Sequence, residues 1–476
     1  MSAFASGGSI AIRPQYVPEK FRLIPRLETH PSVVSFAQTP GGKILLLILF
    51  GIGLSFATHM FYIPVLLALA LITAFPAQRR VLVTLATLSF ALATCWRKAA
   101  VTQAIDLVLV LLLAGLLFYA VAQFRQSFVG RRPLVTLFGG FLIAVLLVSF
   151  LHGGSVIQSR LWQFLILFGF YICAIAYSLL DSHSRNRDNF LYQLGTYRAF
   201  WGMTVTPTPK GSAYLRRVEA KTPQALAISQ IKGLKLLAWS LVLFFIWKSL
   251  VRILHFNLGI PSYADVFALS AARSPYPCSV GWVALIAAFF EKILRLSYLG
   301  HQYIAICRMA GFMALRNTCR PMESRTIAEF WNRYYYYYKE LLVDLFFYPT
   351  FMRYFKTRPR LRLFAATFVA VCIGNALLHF AAGYIEYVQE FGLRATLVKF
   401  QSYLIYSALL AVGIGISQLR NANAPRKDGW LRGRLIPAVC VIAFFCFLYI
   451  FDNDVGKYAP DAHFRYLANL FRWATW

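Results

Sequence analysis

TQAIDLVLVLLLAGLLFYAVA, residues 102–122, runs for 21 positions with Asp106 as its single charge. About 20 apolar residues suffice for a helix to cross the hydrocarbon core of a bilayer. Working outward, comparable apolar runs lie near 44–58, 60–76, 81–95, 134–151, 161–180, 234–254, 280–290, 362–384, 397–417 and 433–451. With the first they make about eleven candidate spans. Backbone polar groups in lipid must be satisfied within the segment, and no strand alternation is present, so the spans are read as helices.

The composition agrees. Of 476 residues, 59% are hydrophobic and 14% charged, against roughly 45–50% and 25% in ordinary globular chains. Such hydrophobicity excludes a disordered chain. Lys and Arg number 48 against 18 Asp and Glu, a net charge of +30. On a soluble chain that would suggest nucleic acid. Here the cations sit between apolar runs as topology signals do, so the partner is a lipid bilayer and nucleic acid is set aside. The eight cysteines form no CxxC pair and mostly lie in or beside apolar runs. They read as small hydrophobes, and no metal is implied.

The expected fold is all-α and polytopic, with buried polar helices around a central tunnel. Residues 1–42 read as a cytoplasmic N-terminal segment without a secretory signal, and 43–180 as an N-terminal helical bundle. Residues 181–233 are polar and basic and read as a cytoplasmic loop, too long for a plain connection. Residues 234–476 form a second helical region.

Polar groups inside apolar runs are costly and therefore informative. In LRLFAATFVAVCIGNALLHFAAGYIEYV (361–388) His379 sits near the middle with Asn375 four residues earlier, on one helical face. Burial there keeps an imidazole neutral, the state a general base needs, although a satisfied core histidine has the same pattern. The preceding AEFWNRYYYYYKELLVDLFFYP (328–349) is too polar for a lipid-facing span and too apolar for a free loop. It suits a helix lining a wet cavity. A helical run of five tyrosines, Tyr334 to Tyr338, covers the whole circumference, so some must point inward to polar partners. Two further groups stand out. Glu291, Arg295, His301 and Arg308, set among apolar residues, read as a solvated amphipathic face. Arg353, Lys356, Arg358, Arg360 and Arg362 face phosphates or anionic lipid. His59 and His152 also lie in or beside apolar runs, with nothing nearby to give them a role.

These residues resemble the membrane-bound O-acyltransferase (MBOAT) family, especially its bacterial branch acting on alginate and teichoic acid. Phe330-Trp331-Asn332-Arg333-Tyr334-Tyr335 stands at the family's Phe-Trp-x-Arg-Trp-His opening, Asp344 at its acidic position and Pro349 at its proline. His379 follows Tyr335 by 44 residues, at the place of the family's catalytic histidine. The match is specific over about 328–384. Tyr335, Val343, Leu378 and Phe380 depart from the family's His or Asn, Arg, Trp and Gly.

The resemblance implies an enzyme of a bacterial inner membrane, moving an acyl group, by analogy acetyl, from a coenzyme A thioester to a hydroxyl of a glycan. His379 would be the base, Asn332 or Tyr335 the group polarising the thioester carbonyl, and Asp344 an orienting group. Trp331, Arg333, Tyr336 and Asn375 would line the substrate path, and Arg353, Lys356 and Arg358 would meet the donor phosphates. A periplasmic or soluble partner protein fits the same picture. The rival readings are a flippase for a lipid-linked glycan and a catalytically retired scaffold.

Overall fold

The structure is a computed structural model that describes residues 24–57, 62–97, 101–151, 155–184, 187–203, 206–421, 429–452 and 456–471. Residues 1–23 of the expected N-terminal segment, His59 and His152 lie outside them. The described residues are 81% helical and form no strand, so every described span is a helix.

Among the described residues six helices are long and apolar enough to cross a membrane: Val101–Gln123, Val156–Ser182, Pro223–Asn257, Pro359–Gly383, Leu393–Arg420 and Leu431–Tyr449. Two bent pairs raise the number to eight, Pro31–Gln38 with Pro40–Phe56 (95°) and Ile63–Ala74 with Pro76–Thr94 (111°). A proline opens the second helix of each pair, where it can start a helix but not continue one. The sequence count of about eleven differs for concrete reasons. Runs 60–76 and 81–95 form one bent pair, 134–151 becomes the short helix Pro133–Ser149, and 280–290 lies within the long charged helix Cys278–Met309.

In chain order the helices are α1 Pro31–Gln38, α2 Pro40–Ala57, α3 Tyr62–Ala74, α4 Arg79–Arg97, α5 Val101–Gln123, α6 Phe128–Arg131, α7 Pro133–Ser149 and α8 Val156–Ser182. Then follow α9 Phe190–Leu194, α10 Ser212–Val218, α11 Pro223–Val251, α12 Tyr263–Ala271, α13 Cys278–Met309, α14 Ile327–Tyr334 and α15 Tyr336–Leu342. The last are α16 Tyr348–Arg353, α17 Pro359–Phe368, α18 Asn375–Gly383, α19 Ile385–Phe391, α20 Leu393–Asn421, α21 Ile436–Tyr449 and α22 Pro460–Phe471. π-Helical turns at Val343–Phe347 and Val369–Gly374 join α15 to α16 and α17 to α18.

Two large cores organise these helices. One gathers α5, α7, α8, α15, α18, α20 and α21, with α8 packed on α18 and α19. The other gathers α2, α3, α10, α11 and the C-terminal half of α13. Asp106, buried in α5, is held by Arg160 of α8 at 3.0 Å, so the one charge in the 102–122 run is paired.

The described part of 181–233 packs into the body rather than standing off it. Trp201 and Tyr197 are buried, and the Trp201 indole donates to the Thr208 carbonyl at 2.5 Å. Asp188 is gripped by Arg80, Arg216 and Ser212. Polar side chains here satisfy one another, which is what lets a polar segment be buried.

α8 and α18 touch at Gly169, where an added Cβ would run into the Ala381 carbonyl oxygen. Small residues permit such close helix approach. Gly169→Ala should therefore destabilise the protein by about 1–3 kcal/mol, the usual range for overpacking. A lower Tm in detergent checks this, with Gly139→Ala, which meets nothing within 4 Å, as the control.

Candidate functional site

The segment 326–342 folds as two short helices, not one. Thr326 caps α14 by accepting from the Glu329 amide at 3.0 Å, while Glu329 accepts from the Arg325 amide at 2.9 Å. Tyr335 then leaves helical geometry (φ −137°, ψ 76°) before α15 begins. Residues 317–319 stabilise the break. The Cys319 amide donates to the Arg333 carbonyl, the Thr318 hydroxyl to the Tyr334 carbonyl, and the Tyr336 amide to the Asn317 carbonyl, at 2.8, 2.8 and 2.9 Å. Backbone groups orphaned at a helix end need such partners.

The break divides the tyrosine run between the two cores. Tyr337 is fully buried in the second and donates to the Leu315 carbonyl at 2.9 Å, with Tyr336 packed on it at 5.1 Å. Tyr334, Tyr335 and Tyr338 belong to the first. The expectation of one helix with tyrosines around it is corrected accordingly.

Tyr338 leads to the centre of the candidate site. Its hydroxyl donates to Oδ1 of Asn375, buried on α18. Tyr403 of α20 donates to the same oxygen at 3.2 Å, and Asn375 Nδ2 donates to Ser407 Oγ at 3.2 Å. One turn further along α18 the His379 ring packs on Tyr403 at 4.4 Å and meets the edge of Tyr338 at 5.8 Å. Tyr335 stacks on Tyr338 at 5.6 Å and Trp331 meets it edge-on at 6.2 Å. The structure thus brings together His379, Asn375, Tyr335 and Trp331, with Tyr338, Tyr403 and Ser407 added.

His379 itself is exposed, not buried. It lies one turn before α18 ends at Gly383, where the chain turns into α19 at Tyr384. Its partner Tyr403 is ten residues into α20, so about 15 Å of that helix extends beyond the imidazole.

The other expected site residues stand apart. Asn332 is half-buried on α14 and takes no part in the Asn375 network. Arg333 is engaged by Glu329 at 2.6 Å and Glu323 at 3.7 Å and donates to the Arg320 carbonyl, so it secures its own turn instead of facing a substrate. Tyr336 lies on the second core, beneath Lys339. Arg353, Lys356, Arg358 and Arg360 are exposed, and Arg362 stacks on Phe351. From Pro359 to His379 is twenty residues of one span, about 30 Å. The basic group and the imidazole therefore lie at opposite ends of a transmembrane helix. On α13, His301 is buried rather than solvated, Glu291 meets His255 at 2.9 Å, and Arg308 donates to the Ala314 carbonyl.

Asp344 does not meet His379. It accepts from Lys210 at 2.6 Å and from the Tyr177 hydroxyl at 3.3 Å, while Glu340 binds the same Lys210 at 3.0 Å and Lys339 beside it. Burial pushes the Asp344 carboxyl above the usual range, with Lys210 only partly offsetting it. Burial acts on Glu340 in the same direction, but Lys339 and Lys210 outweigh it and hold that carboxyl below its usual range. Burial would lower the Lys210 ammonium, yet the two carboxylates prevail and raise it.

Lys210, Tyr177, Tyr403 and the two π-helical turns escaped the sequence reading. Only one of them left a signal: FQSYLIYS (400–407) sets Ser402, Tyr403, Tyr406 and Ser407 along one face of an otherwise apolar helix. The turns Val343–Phe347 and Val369–Gly374 pack on each other, with Phe346 against Gly374. Such turns recur at functional sites, and here they carry Asp344 and immediately precede Asn375. No protein-family model matches the chain, and no curated protein sequence matches it significantly.

Two substitutions test these networks. Asn375→Leu strands the Tyr338 and Tyr403 hydroxyls and should cost about 1–3 kcal/mol for each group left unpaired. Lys210→Met leaves Asp344 without its counter-ion beside Glu340, which keeps Lys339, and should cost about 3 kcal/mol. Thermal melting in detergent reads both.

Proposed function

We propose that the chain is a membrane-embedded O-acyltransferase of the MBOAT type, with His379 as general base and an acyl-coenzyme A thioester as donor. The observation that supports this best is the accessible imidazole held between two tyrosines that are themselves fixed by Asn375. A positioned base needs both features, a set orientation and an open approach. In this reading His379 takes the proton from an acceptor hydroxyl as its oxygen attacks the thioester carbonyl. The new C–O bond forms, the C–S bond breaks, and the thiolate leaves and is protonated. Tyr335, in the same aromatic cluster, is favoured over Asn332 as the donor to the developing oxyanion.

The acceptor meets the exposed ring from the side of α18's end, which makes a central tunnel unnecessary. Some of the eleven expected spans then serve as partial crossings that close the site. The exposed basic group, about 30 Å away along its span, suits anionic lipid headgroups at the other face better than phosphates held next to the imidazole. The acceptor remains a glycan hydroxyl and the membrane a bacterial inner membrane by the same resemblance.

His379→Ala should lower coenzyme A release from acetyl-coenzyme A in the presence of a glycan acceptor by 10²–10⁴-fold, with an unchanged Tm. Near-normal release by a folded H379A protein would falsify the role of the imidazole. Loss of no activity because the wild type has none would favour the scaffold reading.

A further inference from the structure

The span that carries His379 begins at Pro359, inside the stretch MRYFKTRPRLR (352–362), which holds five Lys and Arg and no acid. Arg353, Lys356, Arg358 and Arg360 are exposed, and so are Met352, Tyr354 and Phe355 among them. Arg362 closes the stretch into a hairpin. Its guanidinium lies 3.9 Å from the Phe351 centroid and donates to the Phe351 carbonyl, tying α17 to α16. Phe355 turns the chain at φ +52°, a conformation that a bulky residue keeps only where its surroundings fix it.

Two other stretches of the same kind lie on this face. α8 runs antiparallel to α18, because Gly169 packs on Ala381 while Tyr177 bonds Asp344, in the turn packed against Val369–Gly374. The C-terminal end of α8 therefore points toward the level of Pro359. There His183 Nε2 lies 2.7 Å from the Gly130 carbonyl oxygen, which fastens FRQSFVGRR (124–132) to that end. Phe124, Phe128, Arg125, Arg131 and Arg132 are exposed in it. The third stretch, WLRGRL (430–435), opens the span Leu431–Tyr449 after α20 has recrossed from the other face. Trp430, Leu431, Arg432 and Arg434 are exposed there. With five, three and two cations, the stretches hold ten Lys and Arg and not one Asp or Glu. The opposite face is mixed. Around α19, Glu386 and Glu390 stand with Arg394, and beyond α21, Asp452 and Asp461 stand with Lys457.

We propose that these three stretches form a docking surface for an anionic phospholipid leaflet, with their cations on headgroup phosphates and their exposed rings and Met352 inserted at the boundary of headgroups and acyl chains. Cations alone would suit any polyanion. The exposed aromatic and aliphatic side chains set among them decide for a bilayer, where basic and apolar groups on one surface are both satisfied. Each stretch also adjoins the start or end of a span, which is where headgroups lie. An anionic leaflet and an excess of Lys and Arg both mark a cytoplasmic surface, so docking orients the chain and turns the α18 end, with His379, to the opposite face. None of this depends on the imidazole being a base.

The test uses full-length protein in phosphatidylcholine bilayers that hold a trace of spin-labelled phosphatidylglycerol or spin-labelled phosphatidylcholine. The immobilised fraction of each label gives their relative affinities. Phosphatidylglycerol should be preferred by about threefold or more, and by less as salt rises. Arg358→Gln combined with Arg360→Gln should lower the preference about twofold. Met352→Ser combined with Phe355→Ser, which leaves the charge unchanged, should lower it by about as much. Arg394→Gln combined with Lys399→Gln removes the same charge from the other face and should leave the preference unaltered. Tm should stay the same in all three variants. Absence of a preference overturns the proposal. So does an equal drop in the two charge variants, which would trace the preference to the field of the whole +30 chain. Full preference in both hairpin variants overturns it as well.

Discussion

One side-chain oxygen, Oδ1 of Asn375, accepts hydrogen bonds from two tyrosines on two other helices. Little water competes for such groups in the interior of a membrane protein, and an unpaired one is costly. Asn375 therefore fixes α15 and α20 against α18 by satisfying all three at once. Ser407 completes the amide's partners from α20. The aromatic rings that flank His379 belong to those same two tyrosines. The orientation of the imidazole is thus set by a hydrogen-bond network to which it is joined through ring contacts.

A second constraint acts a few residues away. Glu340 and Asp344 lie one turn apart and share Lys210, which arrives from the long segment between α8 and α11. Two carboxylates so placed would repel each other, and burial would drive both toward protonation. The ammonium prevents this for Glu340 and only moderates it for Asp344. The polar segment is therefore packed in because α15 and the turn after it present charges that need it. Tyr177 ties the same carboxylate to α8, which in turn packs against α18. Charge and amide networks thus brace one group of helices from two sides.

The sequence made the helical, membrane-spanning class plain, because long apolar runs with one buried charge have few other solutions. It also placed Asn375 and His379 on one face, since spacing of four is local information. Depth was harder to read. His379 looks central in 361–388, but the helix stops at Gly383, and that glycine is the local sign of the stop. The tyrosine run misled for a similar reason: its break at Tyr335 depends on backbone partners in 317–319, which sequence proximity does not reveal. Arg333 was drawn to Glu329 and Glu323, two partners a few residues away that the motif reading passed over. Lys210 was hidden because its partners are more than 100 residues off.

Exposure of His379 changes what kind of chemistry the site can support. A sealed imidazole would be held neutral by burial and would need a channel to meet any substrate. An exposed one near a helix end can be approached without a channel. In the acyltransferase reading the demand on the protein then shifts from bringing substrate through the bilayer to holding it beside α18. Orientation of bound groups can supply several kcal/mol of a reaction barrier, so the surface next to Gly383 matters as much as the imidazole. An open cleft between Lys399 and Lys457 occupies that surface.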